Sequence, residues 1–310
     1  MATLSGNTKT VGGFAVRYRV IHLALKPSHI SNSGEVVGMS EENHAAIWTE
    51  KTGLRLLPIP KEFNESEAAD SNALMRVVGS MTNREKTNAF IYKHGQLSVL
   101  TGRQSRALGI NDRGEIVGQA IISEAGPLKA VIWTHEIPQD LGGCCGGTAK
   151  KVNRKGEVIG DLYDEEGRYH AFVWEASEGM RFLGAPKQYS SAIAINGAGH
   201  VLVQEMERNV VLYLAPDRSN KVPTPANEPA EGRALNAADE IVGAFGPYFD
   251  ADHAFLWSDK DGFHDLNDLV PKDSGWKLQV ATGINDQGEI VGFGDYQGDD
   301  AGFLLRPMGR

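Results

Sequence analysis

The chain has 310 residues, 41% of them apolar and 23% charged, with a formal net charge of −9. That composition supports a globular core and leaves the number of domains to be decided by periodicity. The acidic balance argues against nucleic acid or an anionic membrane surface as partner, and no run approaches the apolar length of a membrane span.

Residues 1–14 are polar and glycine-bearing without an apolar h-region, so they are read as a flexible segment ahead of a single domain over 15–310. The chain as written reads as cytoplasmic, and as secreted if a leader has been removed. Tyr18-Arg-Val-Ile-His-Leu23 is strand-like and stands ahead of any repeat. A unit of about forty residues then recurs. Its first motif is clearest in Ile110-Asn-Asp-Arg-Gly-Glu-Ile-Val-Gly118 and Ile284-Asn-Asp-Gln-Gly-Glu-Ile-Val-Gly292. Weaker copies are Ile30 to Gly38, Val152 to Gly160 and Leu235 to Gly243, and degenerate ones end at Gly79 and Val203.

A second, β-branched and aromatic run follows each copy, as in His44-Ala-Ala-Ile-Trp48, Asn88-Ala-Phe-Ile-Tyr92, Lys129-Ala-Val-Ile-Trp133 and Asn209-Val-Val-Leu-Tyr213. A third short run comes next, as in Leu54 to Leu57, Gln96 to Leu100 and Met180 to Leu183. With the apolar start of the first motif, each unit offers four short strands, A to D. The seven units predict an all-β, seven-bladed propeller of four-stranded antiparallel blades. The last unit stops after its third strand, Phe303-Leu-Leu305, so the spare Tyr18 to Leu23 strand is expected to complete it and close the ring.

The residues between strands A and B are turn-formers, and the recurring Asn72, Asn111, Asn153, Asn196, Asn236 and Asn285 are read as bonding their own turn backbone. Ala107, Ala149, Ala192, Gly232 and Ala281 share one strand-A position, where crowding of the innermost strands at the axis is expected to require small residues.

The repeats resemble the HAF-repeat family, a probable extracellular repeat named for its His-Ala-Phe tripeptide. His170-Ala-Phe172 and His253-Ala-Phe255 carry the name, and Asp265 to Leu269, Gly275-Trp276, Leu278, Ala281 and Ile284 to Gly288 are similar to its terminal repeat. The resemblance spans about Tyr18 to Pro307. It implies a propeller in an exported setting and no particular reaction.

Positions where the units agree serve the scaffold, and positions where they differ are free for function. By analogy of fold, the D–A and B–C loops form the ligand-binding mouth of the channel. The position ahead of the small strand-A residue holds Lys26, Glu67, Arg106, Thr148, Ser191, Glu231 and Val280, and two positions on, Lys150 and Arg233 replace apolar residues. A mixed-charge funnel and simple solvation of the mouth are both consistent with that ring. The B–C loops add Tyr163, Tyr248 and Phe249, and Trp276 is either a rim anchor or a packing residue.

Phosphate loops, nucleophile elbows and metal-ligand signatures are missing from the sequence, so neither cofactor nor metal is expected. His44, His170 and His253 share a position with Asn88 and Asn209 and are read as structural hydrogen-bonding groups. Cys144 and Cys145 are adjacent, which argues against a disulfide, and free surface thiols are preferred to a nucleophile or soft-metal ligand. The leading reading is a monomeric binding or scaffold propeller for a peptide, glycan or small molecule. Its alternatives are a lyase or hydrolase drawing on Glu67, Arg106, Lys150 and Glu231, and an adhesive surface protein.

Overall fold

In the computed structural model, residues 18–185, 188–206, 209–215, 218–225, 228–247 and 253–308 are described. They form seven four-stranded antiparallel sheets arranged as blades around a channel. Strand A of blades one to seven is, in order, β2 (Leu25–Ile30), β6 (Glu65–Ser71), β10 (Arg103–Ile110), β14 (Gly147–Val152), β18 (Ser190–Ile195), β22 (Ala230–Leu235) and β26 (Trp276–Ile284). The N-terminal β1 (Tyr18–Leu23) pairs with β28 (Asp299–Pro307), Tyr18 opposite Pro307 and Leu23 opposite Gly302. The first strand of the chain therefore completes the last blade, as the repeat count predicts.

The repeat motif encodes the seams between blades. In a strand, neighbouring side chains point to opposite faces, so Ile116 packs back on blade two while Val117 packs forward on blade four. The His-Ala-Phe run obeys the same alternation. Phe172 joins the cluster shared with blade three, and Ala171 and Val173 join the one shared with blade five. Phe255 likewise faces backward, and Ala254 and Leu256 forward. Each blade buries both faces of its two middle strands, which is why strands B and C carry the apolar runs, as in Ile116–Ile121 and Lys129–Thr134, while strand A along the channel is mixed, as in Glu65–Ser71.

The glycine ending the first motif has a local cause. A Cβ on Gly118 would lie 1.9 Å from the carbonyl oxygen of Arg106 and 3.0 Å from the Trp133 ring. At Gly79, Gly160, Gly243 and Gly292 the missing side chain is covered by Phe90, Phe172, Phe255 and Phe303, each directly opposite on strand C. The Phe of the second motif is therefore the cross-strand partner of the Gly of the first. The small strand-A residue has a different origin from the expected crowding at the axis. A Cβ on Gly232 would meet Leu202 and Val210 of the preceding blade at 2.9 and 3.1 Å, so the neighbouring blade sets the size limit.

The asparagines form a belt around the end of the channel opposite the mouth. Each side-chain oxygen accepts from its own turn, as Asn111 Oδ1 does from the Arg113 and Glu115 amides. Each amide nitrogen donates to the next blade, from Asn72 to the Asn111 carbonyl, Asn111 to Asn153, Asn153 to Asn196, Asn196 to Asn236, Asn236 to Asn285 and Asn285 to Ser31. Blade one carries Ser31 in place of asparagine. Where Asn111, Asn153, Asn236 and Asn285 also donate to the glutamate four residues on, Glu35 in blade one lacks that donor.

Glu35 is 3% exposed, and neither carboxylate oxygen has a hydrogen-bond partner among the described residues. Burial pushes its carboxyl above the usual range, against the opposing influence of Arg55 and of the nearby Ser71 hydroxyl. A carboxyl raised in the fold costs stability as pH climbs through and above its unfolded value, because the native state resists ionisation. Glu35→Gln is therefore expected to raise stability at pH 7 by about 1 kcal/mol, a gain that disappears near pH 4. Denaturant melts at the two pH values check this, and an equal effect at both would refute it.

Candidate functional site

Strand A carries the mouth residues, and each copy contains a bulge that lets adjacent side chains aim differently. The bulged residues are Ser28, Ala69, Leu108, Lys150, Ile193, Arg233 and Thr282, each falling at the register break against strand B. In blade four this separates two consecutive lysines. Lys150 turns to Asp161 and the Ser191 hydroxyl, and Lys151 runs into the channel to Asp70.

The mouth is divided by the residue on strand B that follows the motif glycine. In blades three to five it is Gln119, Asp161 and Gln204, and each is bonded to the next blade. The Thr148 hydroxyl donates to Gln119 Oε1 at 2.7 Å. Asp161 accepts from the Ser191 hydroxyl at 3.0 Å and from the Ala192 amide at 2.9 Å. Gln204 donates to the Ala230 carbonyl and accepts from the Gly232 amide. These bonds close the seams and consume Thr148, Lys150 and Ser191, three of the candidates.

In blades seven and one the same position holds Phe293 and Met39, which cannot make such bonds. A cavity of about 330 Å³ lies there, lined by Lys26, Pro27, Ser28, Met39, Glu67, Arg233, Thr282 and Phe293. Three sequence candidates, Lys26, Glu67 and Arg233, thus share one cavity. Glu67 accepts from the Ser28 hydroxyl at 3.1 Å, and Arg233 pairs with Glu231 at 2.6 Å. Lys26 is exposed and has no ion-pair partner among the described residues. Arg106 is also exposed, beside the stitched half of the mouth.

Deeper in the channel is a charged cluster that the sequence reading missed. The Asp70 carboxylate is 5% exposed and lies 3.2 Å from His29 Nδ1 and 3.0 Å from Lys151 Nζ, while the Ile110 and Ser71 amides donate to it. The link spans blades one, two and four, and Gly109 of blade three lies where Lys151 passes, its absent Cβ 3.0 Å from the Lys151 Cα. Burial would raise the Asp70 carboxyl, but His29, Lys151 and the Ile110 amide reverse this and hold it below the usual carboxylate range. Burial lowers His29 despite Asp70 beside it. At neutral pH His29 is therefore uncharged beside Asp70, and Lys151 supplies the positive charge. The signal was available: two residues before each turn asparagine the units read small except for Asp70 and Lys151, with His29 at the matching place in blade one.

The remaining candidates lie elsewhere. Trp276 packs on Tyr296 at 4.8 Å and edge-on to Phe303, so it is a packing residue at the end of blade seven. Tyr163 is exposed on the B–C hairpin of blade four, apart from the cavity. That hairpin is fixed by Asp164, whose carboxyl His170 and Arg168 hold well below the usual range. His170 and His253 each meet an aspartate, Asp164 and Asp265, in keeping with the structural role expected for that position. Tyr248 and Phe249 lie outside the described residues. Cys144 and Cys145 correct the sequence reading, since they are joined in a disulfide between adjacent residues, a pairing that the glycine-rich loop around them accommodates.

Seven closed blades and a half-stitched mouth define a β-propeller with its candidate site at one side of the channel entrance. No protein-family model matches the chain, and no curated protein matches it. Among solved structures it is similar to virginiamycin B lyase from Staphylococcus aureus, at 13% identity over 93% of this chain and 99% of that one, with a TM-score of 0.58. It is also similar to YCF48 bound to D1 peptide (14%, 95% and 97%, TM-score 0.57) and to the WD40 β-propeller domain of Doa1 (10%, 94% and 96%, TM-score 0.57). At these identities the likeness is one of fold.

Proposed function

We propose that the protein is a binding propeller whose mouth cavity takes a small anionic or zwitterionic molecule with an apolar body. The observation that carries this reading is the asymmetry of the mouth: Met39 and Phe293 leave an apolar floor where Gln119, Asp161 and Gln204 stitch the seams of blades three to five, and Lys26, Arg233, Ser28 and Thr282 stand around it. In a chain of net charge −9, a lysine at a concave site with no ion-pair partner among the described residues favours a carboxylate or phosphate group. Glu67 would receive an ammonium or hydroxyl of the same ligand. That propellers of this shape include one bound to a peptide and one that is a lyase fits a ligand site on a propeller without choosing between them. The His-Ala-Phe tripeptides support grouping the chain with the HAF-repeat propellers.

An enzyme reading has less support. Its best base, His29, is tied to Asp70, with the backbone of Ser71 also interacting with its ring.

A thermal-shift screen of amino acids, organic acids and sugar phosphates tests the binding reading, since a ligand that binds the native state raises its apparent stability. Removing both cations with Lys26→Ala and Arg233→Ala is expected to weaken any hit by at least tenfold, on the scale of about 1.5–3 kcal/mol per charge-assisted bond. Lys155→Ala, at the opposite end of the channel, is expected to leave it unchanged. A hit whose affinity survives the double substitution would place the site elsewhere.

A further inference from the structure

The Cys144–Cys145 disulfide is poorly placed to hold the fold together. A crosslink stabilises chiefly by closing a loop of chain in the unfolded state, and the gain grows with loop length. A bond between adjacent residues encloses essentially no loop, so this contribution is almost absent.

The surrounding loop is held independently of the sulfurs. The Gly142 amide donates to Asp140 at 2.8 Å, Lys129 Nζ to the Gly143 carbonyl at 2.6 Å, the Gly147 amide to the Leu128 carbonyl at 3.0 Å and the Tyr163 amide to the Gly146 carbonyl at 3.1 Å. Between those anchors both cysteines are exposed, and Cys144 Sγ has only a weak approach, 3.8 Å, to the Tyr163 carbonyl. Gly142, Gly143 and Gly146 have φ of 108°, 95° and 109°, a region that favours glycine. The chain thus commits three residues to presenting two adjacent sulfurs on the mouth face of blade four, where reagents in solution can reach them.

We propose that Cys144 and Cys145 form a redox-active pair, a site of reversible thiol–disulfide exchange with small thiols or dithiols. A thiolate of the reductant attacks one sulfur of the pair, breaking the protein S–S bond and forming a mixed disulfide. The second thiol of the reductant then displaces the protein sulfur. Two electrons and two protons pass to the protein, leaving two cysteine thiols, and the dithiol leaves as its disulfide. An exposed pair follows the thiol poise of its surroundings, closed where they are oxidising and open where they are reducing. This site is independent of the Lys26 and Arg233 cavity.

The test uses the full chain purified in air. Iodoacetamide without reductant is expected to modify neither cysteine, and dithiothreitol under native conditions to make both reactive, with a gain of about two mass units for the reduced form. Reduction is expected to move the melting temperature by no more than about 2 °C, because no loop is released. Phenylarsine oxide, which bridges two neighbouring thiols with loss of water, should then bind once per reduced chain and not to Cys144→Ser. In that variant the remaining Cys145 should alkylate without reductant. Alkylation of both cysteines in the untreated protein, a pair that stays closed to dithiothreitol until the chain unfolds, or a fall of about 10 °C on reduction would each overturn the proposal.

Discussion

Gly118→Ala is expected to cost on the order of 3–5 kcal/mol, among the largest effects of any single methyl group in this chain. The added carbon would sit 1.9 Å from the Arg106 carbonyl oxygen, far inside contact distance, with the Trp133 ring at 3.0 Å on its other side. No rotamer relieves the clash because a Cβ has none, so strands β10 (Arg103–Ile110) and β11 (Ile116–Ile121) would have to part where Ala107 pairs with Gly118. Arg106 and the mouth half of β10 would move with them. Gly197→Ala is the control: the atoms nearest its Cβ would belong to the flexible Arg154 side chain, which can swing away, and a change under about 1 kcal/mol is expected. Chemical denaturation of the two variants decides the matter, and similar midpoints would refute the role assigned to the motif glycine.

Asp70→Ala is expected to cost about 2–3 kcal/mol, since it takes the carboxylate from the partly exposed Lys151 ammonium and leaves the Ile110 amide without its acceptor. The cluster also gives stability a pH dependence with a definite sign. A carboxyl held low in the fold contributes stability above its unfolded pKa, and that contribution is lost as pH falls through the folded value. The Asp70 contribution is therefore present above about pH 4 and is lost below it. His29 is lowered, so the unfolded chain takes up its proton first, and stability begins to decline as pH drops below about 6.5. In melts from pH 7 to pH 3 both proteins should decline below about pH 6.5, and below about pH 4 the wild type should lose further stability that the Asp70→Ala variant has already lost. Parallel curves in that acid limb would contradict the assignment.

The fold was legible because its seams are written in strand alternation. Ile116 and Val117 face different neighbours, as do Ala171 and Phe172, so a repeat of apolar pairs with turn residues between them specifies blades packed on both faces. Ring closure was equally legible from the spare strand Tyr18 to Leu23 ahead of the first repeat.

The second half of each asparagine's role was hidden. A turn-former announces its own hairpin, whereas donation from Asn111 to the Asn153 carbonyl depends on how two blades sit side by side. Lys150 and Lys151 are indistinguishable as sequence, and only the bulge between Ala149 and Lys151 sends one to Asp161 and the other to Asp70.

The candidate site was half legible. Variation among the units picked out Lys26, Glu67 and Arg233. It could not show that Thr148 and Ser191 are already bonded to Gln119 and Asp161 while Met39 and Phe293 leave the opposite side open. The disulfide escaped because adjacent cysteines bond only when the backbone around them permits it, and the positive φ of Gly142, Gly143 and Gly146 is not visible in the sequence.

The central claim is that ligands enter at the Lys26 side of the mouth. Hydrogen–deuterium exchange of the protein with and without a screened ligand tests it most directly. Slowed exchange in β2 (Leu25–Ile30) and β22 (Ala230–Leu235), with the turns at Asn111 and Asn153 unchanged, is the predicted result. Protection confined to those turns, or spread evenly around all the blades, would contradict it.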